Sequence, residues 1–333
     1  MSRLSTGTIV VTGGAGLIGS AILWGLKELN LHNLWMVDWA EPSDLKYRNL
    51  SNLSISRTIK PEDFRQMVRE NSQELTDIST IFHLGACSST TETNEEYLND
   101  NNLQYTRELC EWSLQNDVRF VYASSASTYG DGELGMDDQE MDLQKFQPLN
   151  LYGWSKHKFD LLAQERGWLE LIAGLKYFNV YGPNEEHKGN MRSVVSKAYE
   201  QISATQEMTL FKSHNPCYRD GEQMRDFLYV KDAVSMSLWL GENKEANGLY
   251  NLGSGKARTW FDLGRAIFAA LEKEPNIRFV EMPETLRDKY QYFTEAKIDK
   301  LTQAGYKQNL FSLEDAVKDY VTCYLIPDHR LGD

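Results

Sequence analysis

The most specific chemical signal in the chain is a tyrosine followed four residues later by a lysine, Tyr152 and Lys156. If this segment is helical, the two side chains share a face, because residues i and i+4 are neighbours on a helix surface. A lysine ammonium beside the phenol favours tyrosinate and is expected to lower the tyrosine pKa. Such a tyrosine can act as a general base or acid on an alcohol. The spacing alone also occurs in helices where the pair is only a surface feature.

A serine-rich segment, Ser124–Ser127, supplies a further candidate. It follows a predicted strand, and the carboxyl ends of the strands are where open α/β sheets bind ligands. A serine hydroxyl at this edge can hydrogen-bond the reacting oxygen of a substrate. We therefore interpret one of these serines, with Tyr152 and Lys156, as the acid–base machinery of an enzyme.

A glycine-rich loop opens the chain, with the sequence Thr12-Gly13-Gly14-Ala15-Gly16-Leu17-Ile18-Gly19. Glycines allow a tight turn and a close approach to a pyrophosphate, and the following helix N-terminus offers free N–H groups. Asp38 lies 19 residues after Gly19 (38 minus 19), near the spacing expected of the acid that holds a dinucleotide ribose. This context favours a nicotinamide dinucleotide site over a purely structural turn.

Two residues beside Asp38 are open to more than one interpretation. Trp39 could stack on the adenine of the cofactor, or it could only cap the strand. Lys46 could hold the 2′-phosphate of NADP, and an ordinary solvated lysine is the alternative.

The elements that must position these residues alternate between strands and helices. The predicted strands of the N-terminal half are Thr8–Thr12, Leu34–Asp38, Thr80–Leu84, Arg119–Ala123 and Leu171–Tyr177. The predicted helices between them are Ile18–Leu29, Pro61–Glu70, Glu95–Leu114 and Tyr152–Glu165. This alternation is typical of an α/β fold, here a Rossmann-type, doubly wound parallel sheet.

The pattern loosens after about Gly182 and predicts a smaller C-terminal α/β lobe that binds substrate. Its predicted strands are Thr209–Lys212, Phe227–Val230, Leu249–Leu252 and Ile277–Glu281, and its helices include Thr259–Leu271 and Leu313–Tyr324. We assign residues 1–182, with returning segments at roughly 226–257, to an NAD(P)-binding domain. Residues 183–225 and 258–333 are assigned to the substrate-binding lobe.

Composition excludes several other classes. The formal net charge of −13 and the pI near 5.0 argue against a nucleic-acid partner. No apolar run approaches the ~20 residues of a membrane span. The four cysteines have no metal-type spacing, so we expect free thiols and no metal site.

Further motifs carry a family resemblance over nearly the whole chain. They are Gly85-Ala86-Cys87-Ser88-Ser89-Thr90-Thr91-Glu92, Asp100-Asn101-Asn102, Tyr177-Phe178-Asn179-Val180-Tyr181-Gly182-Pro183, His187-Lys188-Gly189, Arg225-Asp226-Phe227, Tyr290-Gln291 and Phe293-Thr294. With these motifs the sequence resembles the extended short-chain dehydrogenase/reductase family. Within that family it is most similar to the branch of ADP-L-glycero-D-manno-heptose 6-epimerases.

The resemblance implies an isomerase that inverts C6 of the heptose in ADP-D-glycero-D-manno-heptose. NADP takes the C6 hydride, leaving a 6-keto sugar, and the hydride returns to the opposite face. Tyr152 and Lys188 match the two acid/base positions of the family, Ser125 the polarising serine and Lys156 the residue that supports the tyrosine.

The resemblance also implies ligand contacts. Cofactor contacts fall on Gly13, Gly16, Leu17, Ile18, Gly19, Asp38, Trp39, Lys46, Leu84, Gly85, Ala86, Cys87, Ser88, Asn101, Lys156, Val180 and Lys188. Substrate contacts fall on Asn179, Asn190, Phe211, Arg225 and Tyr290. Arg225 suits a diphosphate, although an internal ion pair with Asp226 is the alternative.

Some expectations remain open. Trp39, Leu84 and Asn190 depart from the pattern of the branch, and NAD is the alternative cofactor. A UDP-hexose 4-epimerase would share Ser125 and Tyr152 but would not need Lys188. A non-catalytic cofactor sensor is a further alternative, although such proteins often lose the tyrosine–lysine pair. The resemblance further implies a cytoplasmic homo-oligomer, with pentamers expected, that takes part in making the core of lipopolysaccharide.

Overall fold

The computed structural model describes residues 3–287 and 290–333. Its strands are β1 (Thr8–Thr12), β2 (Leu34–Val37), β3 (Arg57–Ile59), β4 (Ile78–His83), β5 (Arg119–Ser125), β6 (Ala173–Tyr177), β7 (Asn179–Tyr181), β8 (Met208–Phe211), β9 (Met224–Tyr229), β10 (Gly248–Leu252), β11 (Ala257–Thr259) and β12 (Ile277–Val280).

The α-helices are α1 (Leu17–Glu28), α2 (Pro61–Arg69), α3 (Glu95–Leu98), α4 (Tyr105–Gln115), α5 (Leu151–Glu165), α6 (Val194–Thr205), α7 (Val230–Glu242), α8 (Trp260–Ala270), α9 (Glu284–Arg287), α10 (Asp299–Gln303) and α11 (Leu313–Tyr320). Among the described residues, no helix is both long and apolar enough to span a bilayer.

The main sheet has seven parallel strands in the order β10-β6-β5-β4-β1-β2-β3. The chain runs outward from β1 to β3 and then returns to place β4 on the other side of β1. This reversal opens a crevice above the carboxyl ends of β1 and β4, where doubly wound sheets bind their ligands. The predicted Rossmann-type α/β fold is confirmed.

Helices cover both faces of this sheet, so that its central strands are buried on both sides. One core layer packs α1 and α7 against the sheet and includes Leu23, Leu26 and Val234. The other layer packs α2, α4 and α5 and includes Phe64, Leu109 and Phe159. Burial on both faces explains why β1 consists of five buried residues in a row rather than alternating apolar and polar positions.

The C-terminal part builds two small sheets, with strand orders β11-β9-β7 and β12-β8. β10, in contrast, pairs with β6 at the edge of the main sheet. The predicted helix Thr259–Leu271 is confirmed as α8, and Thr259 caps it through a capping box with Asp262.

Several predicted elements differ from the structure. The prediction of one α-helix over Glu95–Leu114 is wrong, because Asn99–Gln104 forms a π-helical turn between α3 and α4. This segment is rich in Asn and Asp, which compete for backbone hydrogen bonds and disfavour a regular helix. The sequence analysis missed α7 because this helix is buried between α1 and the sheet and has no clear amphipathic period.

A buried ion pair anchors α5 to the sheet beneath the crevice. The side chains of Lys176 on β6 and Asp160 on α5 are 1% and 0% exposed, with 2.7 Å between Nζ and Oδ2. Asp160 also accepts hydrogen bonds from the hydroxyls of Tyr122 (2.8 Å) and Ser124 (2.7 Å). Because every partner is fixed, this cluster sets how α5 lies against β5.

We predict that Asp160→Asn lowers the free energy of unfolding by about 3–5 kcal/mol, because it leaves the Lys176 ammonium buried without its counter-charge. Urea unfolding followed by circular dichroism measures the change. Lys158→Met is the matched control on the same helix. It removes an exposed pair with Glu95 and should cost no more than ~1 kcal/mol. Equal losses in the two variants would contradict the assigned importance of the buried pair.

Candidate functional site

A cleft of about 800 Å³ opens at the carboxyl ends of β1, β4 and β5. It is lined by every residue that the sequence analysis assigned to catalysis or to cofactor binding, and by Asn190. The predicted substrate residues Asn179, Phe211, Arg225 and Tyr290 are not among the residues that line it.

The glycine loop between β1 and α1 makes one end of this cleft. Gly13 has a φ of +67°, and a Cβ there would lie 2.8 Å from the backbone nitrogen of Gly85. A Cβ on Gly19 would lie 2.1 Å from the carbonyl oxygen of Gly13. Gly16 begins α1 without a side-chain cap, so the first N–H groups of the helix are left for a ligand. The loop therefore fits the pyrophosphate of a dinucleotide.

Asp38, at the end of β2, has two partners beside this loop. Its Oδ2 accepts a hydrogen bond from the backbone N–H of Ala15 at 3.0 Å, and its Oδ1 pairs with Lys46 Nζ at 2.8 Å. Lys46 is therefore not an ordinary solvated lysine. The indole of Trp39 is half-exposed and donates a hydrogen bond to Glu62 at 2.9 Å. Glu62 thereby fixes the orientation of this ring at the mouth of the cleft.

The tyrosine–lysine pair lies on α5, where Asn150 caps the helix by accepting the N–H of Gly153 at 2.8 Å. Burial raises the pKa of Tyr152, a hydrogen bond with Ser125 lowers it, and the net effect is a rise. This net rise differs from the expected lowering, because burial of the phenol outweighs the hydrogen bond with Ser125. Ser125, at the end of β5, and Tyr152, on α5, thus lie within hydrogen-bond reach of each other.

Lys156 itself is buried at the floor of the cleft. Burial lowers the pKa of its ammonium to about 8, and the negative charge of Asp160 opposes part of this change. The lysine can therefore lose its proton far more easily than an exposed lysine.

Lys188 enters the same cleft from the short 3₁₀ segment Glu186–Met191 after β7. Gly189 next to it has a φ of +53°, which bends the segment toward the cavity. Burial lowers the pKa of Lys188, Glu185 raises it and Lys197 lowers it further. Lys188 thus adds, from a second element, a proton-exchanging group to the cleft that already holds Tyr152 and Lys156.

Arg225 lies outside this cleft, in an aromatic surround. Its guanidinium carbon is 5.8 Å from the ring centre of Trp260 and 5.1 Å from that of Tyr290. The alternative of an ion pair with Asp226 is wrong. The carboxylate of Asp226 instead accepts backbone N–H groups, including those of Ser254 at 2.6 Å and Ala296 at 3.0 Å.

The two remaining predicted substrate residues also contact the protein. The amide of Asn179 donates hydrogen bonds to the Asp226 carbonyl at 3.1 Å and to the Thr294 hydroxyl at 3.3 Å. Phe211 ends β8, and its carbonyl accepts a hydrogen bond from Gln223 at 3.4 Å.

Sequence reasoning missed a buried polar network behind the cleft, centred on His83. Its Nδ1 lies 2.7 Å from the hydroxyl of Thr12 and its Nε2 lies 2.9 Å from that of Thr106. Because the Thr106 hydroxyl donates to the Asn102 carbonyl, it accepts a proton from Nε2, and Nδ1 is then the acceptor from Thr12. Burial lowers the pKa of His83 to about 3, and the charge of Lys156 acts in the same direction. His83 is therefore a neutral link.

Asn102, on the π-helical turn, continues this network to the catalytic helix. Its side chain bonds both the N–H and the carbonyl of Cys87, each at 2.9 Å. It also donates to Ser155 at 2.9 Å, and Ser155 in turn donates to the carbonyl of Tyr152 at 2.7 Å. The histidine that ends the buried strand Ile78–His83 is the sequence signal that could have indicated this network.

The sequence of this chain is similar to one protein family and to named members of it. The sequence model of the NAD dependent epimerase/dehydratase family matches residues 9–253. The chain is 49% identical over 316 residues to an ADP-L-glycero-D-manno-heptose-6-epimerase of Nitratidesulfovibrio vulgaris strain DP4, with 95% of this chain and 97% of that protein covered. It is 43% identical over 328 residues to the enzyme of that name in Fusobacterium nucleatum, with 95% and 98% covered.

A solved structure is similar over the same extent. The crystal structure of the Helicobacter pylori ADP-L-glycero-D-manno-heptose-6-epimerase superposes with a TM-score of 0.79 at 26% identity, covering 96% of each chain.

Proposed function

Because this chain belongs to the NAD dependent epimerase/dehydratase family, we propose that it inverts C6 of the heptose in ADP-D-glycero-D-manno-heptose. The product is ADP-L-glycero-D-manno-heptose, and the protein is an isomerase. Relatives with this activity in their names align over almost the whole chain. The observation that carries the mechanism is the pair of proton-exchanging side chains, Tyr152 and Lys188, in one cleft with a glycine loop.

The residues at the glycine-loop end fit a nicotinamide dinucleotide. Gly13, Gly16 and the start of α1 would hold its pyrophosphate, and Asp38 would hold the adenosine ribose. When bound, this cofactor accepts the C6 hydride of the sugar and returns it to the opposite face. The protein must then manage one proton at O6 in each half of the reaction.

Two separate proton carriers are needed because the C6 hydroxyl points to opposite sides in the two epimers. Tyr152 and Ser125 are hydrogen-bonded to each other, so Ser125 can orient the phenol or, by turning its single O–H, donate to the sugar oxygen. Lys188 comes from a different element, the loop after β7. A single tyrosine on α5 could reach the C6 oxygen on only one face of the sugar. The presence of Lys188 therefore favours inversion at C6 over a reaction in which one proton carrier, Tyr152, is sufficient.

We predict that Tyr152→Phe and Lys188→Met each lower kcat for C6 inversion by roughly 10²–10⁴-fold, because each removes a general acid–base group. NMR of the sugar H6 signal over time measures the rate. Binding of the nicotinamide nucleotide, followed by isothermal titration calorimetry, should survive in Tyr152→Phe.

Lys158→Met is the control, since it changes an exposed lysine on the same helix as Tyr152. It should retain the full rate. Full activity of Lys188→Met would contradict the use of two proton carriers and would move the assignment toward an epimerase that needs only Tyr152.

We further propose that the cofactor is NADP rather than NAD. Lys46 is only 24% exposed and lies beside the ribose acid Asp38. Its ammonium could turn to a 2′-phosphate, whose charge it would neutralise. Lys188 adds positive charge to the same region, because Lys46 and Lys188 both lower the pKa of His187. NAD would leave the Lys46–Asp38 pair undisturbed.

Lys46→Met is expected to weaken NADP binding roughly 10- to 100-fold, since a hydrogen bond to a charged group contributes about 1.5–3 kcal/mol. Its effect on NAD binding should be much smaller. Calorimetric titration of cofactor-free protein with each nucleotide measures both affinities, and Lys27→Met, whose ammonium bonds a distant carbonyl of Asn52, is the control. Equal losses for both nucleotides, or tighter binding of NAD by the unaltered protein, would assign NAD.

The similarity to heptose epimerases also suggests the substrate-binding part of the chain, its location in the cell and its assembly. We propose that residues 183–225 and 258–333 form the part that holds the ADP-sugar, and that the protein works in the cytoplasm as a homo-oligomer, a pentamer by analogy. Its product would serve the synthesis of the lipopolysaccharide core.

A further inference from the structure

The segment that carries Lys188 is tied to distant parts of the chain. Asn184, which is buried and has a φ of +76°, donates to the Ser20 hydroxyl at 2.9 Å. Its carbonyl accepts from Asn49 at 3.0 Å, and its side-chain oxygen accepts the N–H of Leu331 at 3.0 Å. Helix α1, the segment after β2 and the C-terminal end of the described chain therefore all fix the start of this segment.

Glu185, the next residue, is only 1% exposed. Its Oε2 accepts the N–H of Ser193 at 2.5 Å, and its Oε1 accepts the hydroxyls of Ser193 at 2.6 Å and of Tyr320 at 2.9 Å. All three of these donors are neutral. The carboxylate thus connects the Lys188 segment to α6 and to α11.

A buried carboxylate is costly unless a cation compensates its charge. In the described ranges, no salt bridge within 4.0 Å joins Glu185 to a cation, and none joins Lys188 to a carboxylate. Arg192 also interacts electrostatically with Glu185, but its guanidinium forms an ion pair with Glu200. Lys188 lies three residues further along the same segment, and its backbone N–H donates to the carbonyl of Glu185 at 3.0 Å.

We propose that Glu185 is a positioning residue that holds the Lys188 segment against α11 and supplies the negative charge that keeps the Lys188 ammonium available for proton transfer. This inference rests on the proposed function of Lys188. A lysine that takes up a proton in one direction and releases it in the other must be stable in both charge states. Burial alone favours the neutral amine, and a fixed carboxylate nearby opposes that effect.

Two further titratable groups, Lys197 and His187, interact with Lys188. Lys197 on α6 lowers its pKa, and Glu185 raises it. Burial lowers the pKa of His187, the residue before Lys188, to about 4, so this histidine stays neutral at physiological pH. Glu185 is therefore the group that acts in the direction of the charged lysine.

The test is Glu185→Gln, which keeps the shape of the side chain and removes its charge. The pKa of Lys188 should fall by roughly one unit, because the variant removes the negative charge that favours the ammonium form. Reductive ¹³C-methylation of the protein, followed by NMR titration of the Lys188 methyl signal, measures this pKa without any reference to activity. An unchanged pKa would overturn the proposal.

The pH dependence of kcat adds a second readout. Whether Lys188 acts as acid or base in the rate-limiting step, the limb of the profile that it controls should move to lower pH in Glu185→Gln. A lower pKa by NMR with an unmoved profile would support the role of Glu185 while contradicting the role of Lys188 in the proposed function. The two failures are thereby distinguished.

Glu186→Gln is the matched control, because its more exposed carboxylate pairs with Arg48 and Arg330 rather than facing the cleft. It should leave the pKa of Lys188 unchanged. If Glu185→Gln alone does not fold, the double variant Glu185→Gln/Lys188→Met tests the same pairing. It should fold, since the buried carboxylate and the partly buried lysine charge that it compensates are removed together, and its failure to fold would overturn the proposal.

Discussion

The site depends on how closely two turns of backbone approach each other at the point where the strand order reverses. The turn after β1 and the segment after β4 are in contact there, and a Cβ on Gly13 would meet the backbone of Gly85 at 2.8 Å. The hydroxyl of Thr12 accepts the N–H of Gly85 at 3.0 Å and bonds His83 at 2.7 Å. This contact fixes the cofactor loop relative to β4.

The same contact is transmitted to the catalytic helix. From His83 the hydrogen bonds pass through Asn102 on the π-helical turn to Ser155, one residue before Lys156. On the other side of α5, the buried pair of Asp160 and Lys176 holds the helix to β5 and β6. The tyrosine and the cofactor loop are thus parts of one rigid arrangement, whereas Lys188 arrives on a separate segment with its own anchors.

Local chemistry explains which parts could be predicted from the sequence. Glycines at fixed spacing, an acid at the end of the second strand and a tyrosine four residues before a lysine each act within one short segment, so they were visible. The π-helical turn was not, because the side chain of Asn102 bonds the backbone of Cys87, 15 residues earlier in a non-helical segment after β4. The sign of the Tyr152 pKa was also missed, since burial depends on packing from many elements.

The contacts around the Lys188 segment could not be predicted from the sequence, because they join residues that are distant along the chain. Glu185 meets Tyr320 across 135 residues of chain, and no periodicity reports such a pairing. Arg225 carries a related lesson. Its place beside Trp260 and Tyr290, outside the cleft lining, could be found only from the folded chain.

In the proposed reaction, the hydrogen on C6 leaves the sugar as a hydride and returns to the same carbon without exchanging with solvent. ADP-D-glycero-D-manno-heptose deuterated at C6 should be incubated with the purified protein in ordinary water, without added cofactor, and followed by NMR. We expect the L-glycero epimer to form and to keep its deuterium on C6. Replacement of the deuterium by solvent hydrogen would contradict it and indicate proton abstraction from carbon. Absence of conversion, even after NADP⁺ or NAD⁺ is added, would contradict the choice of sugar.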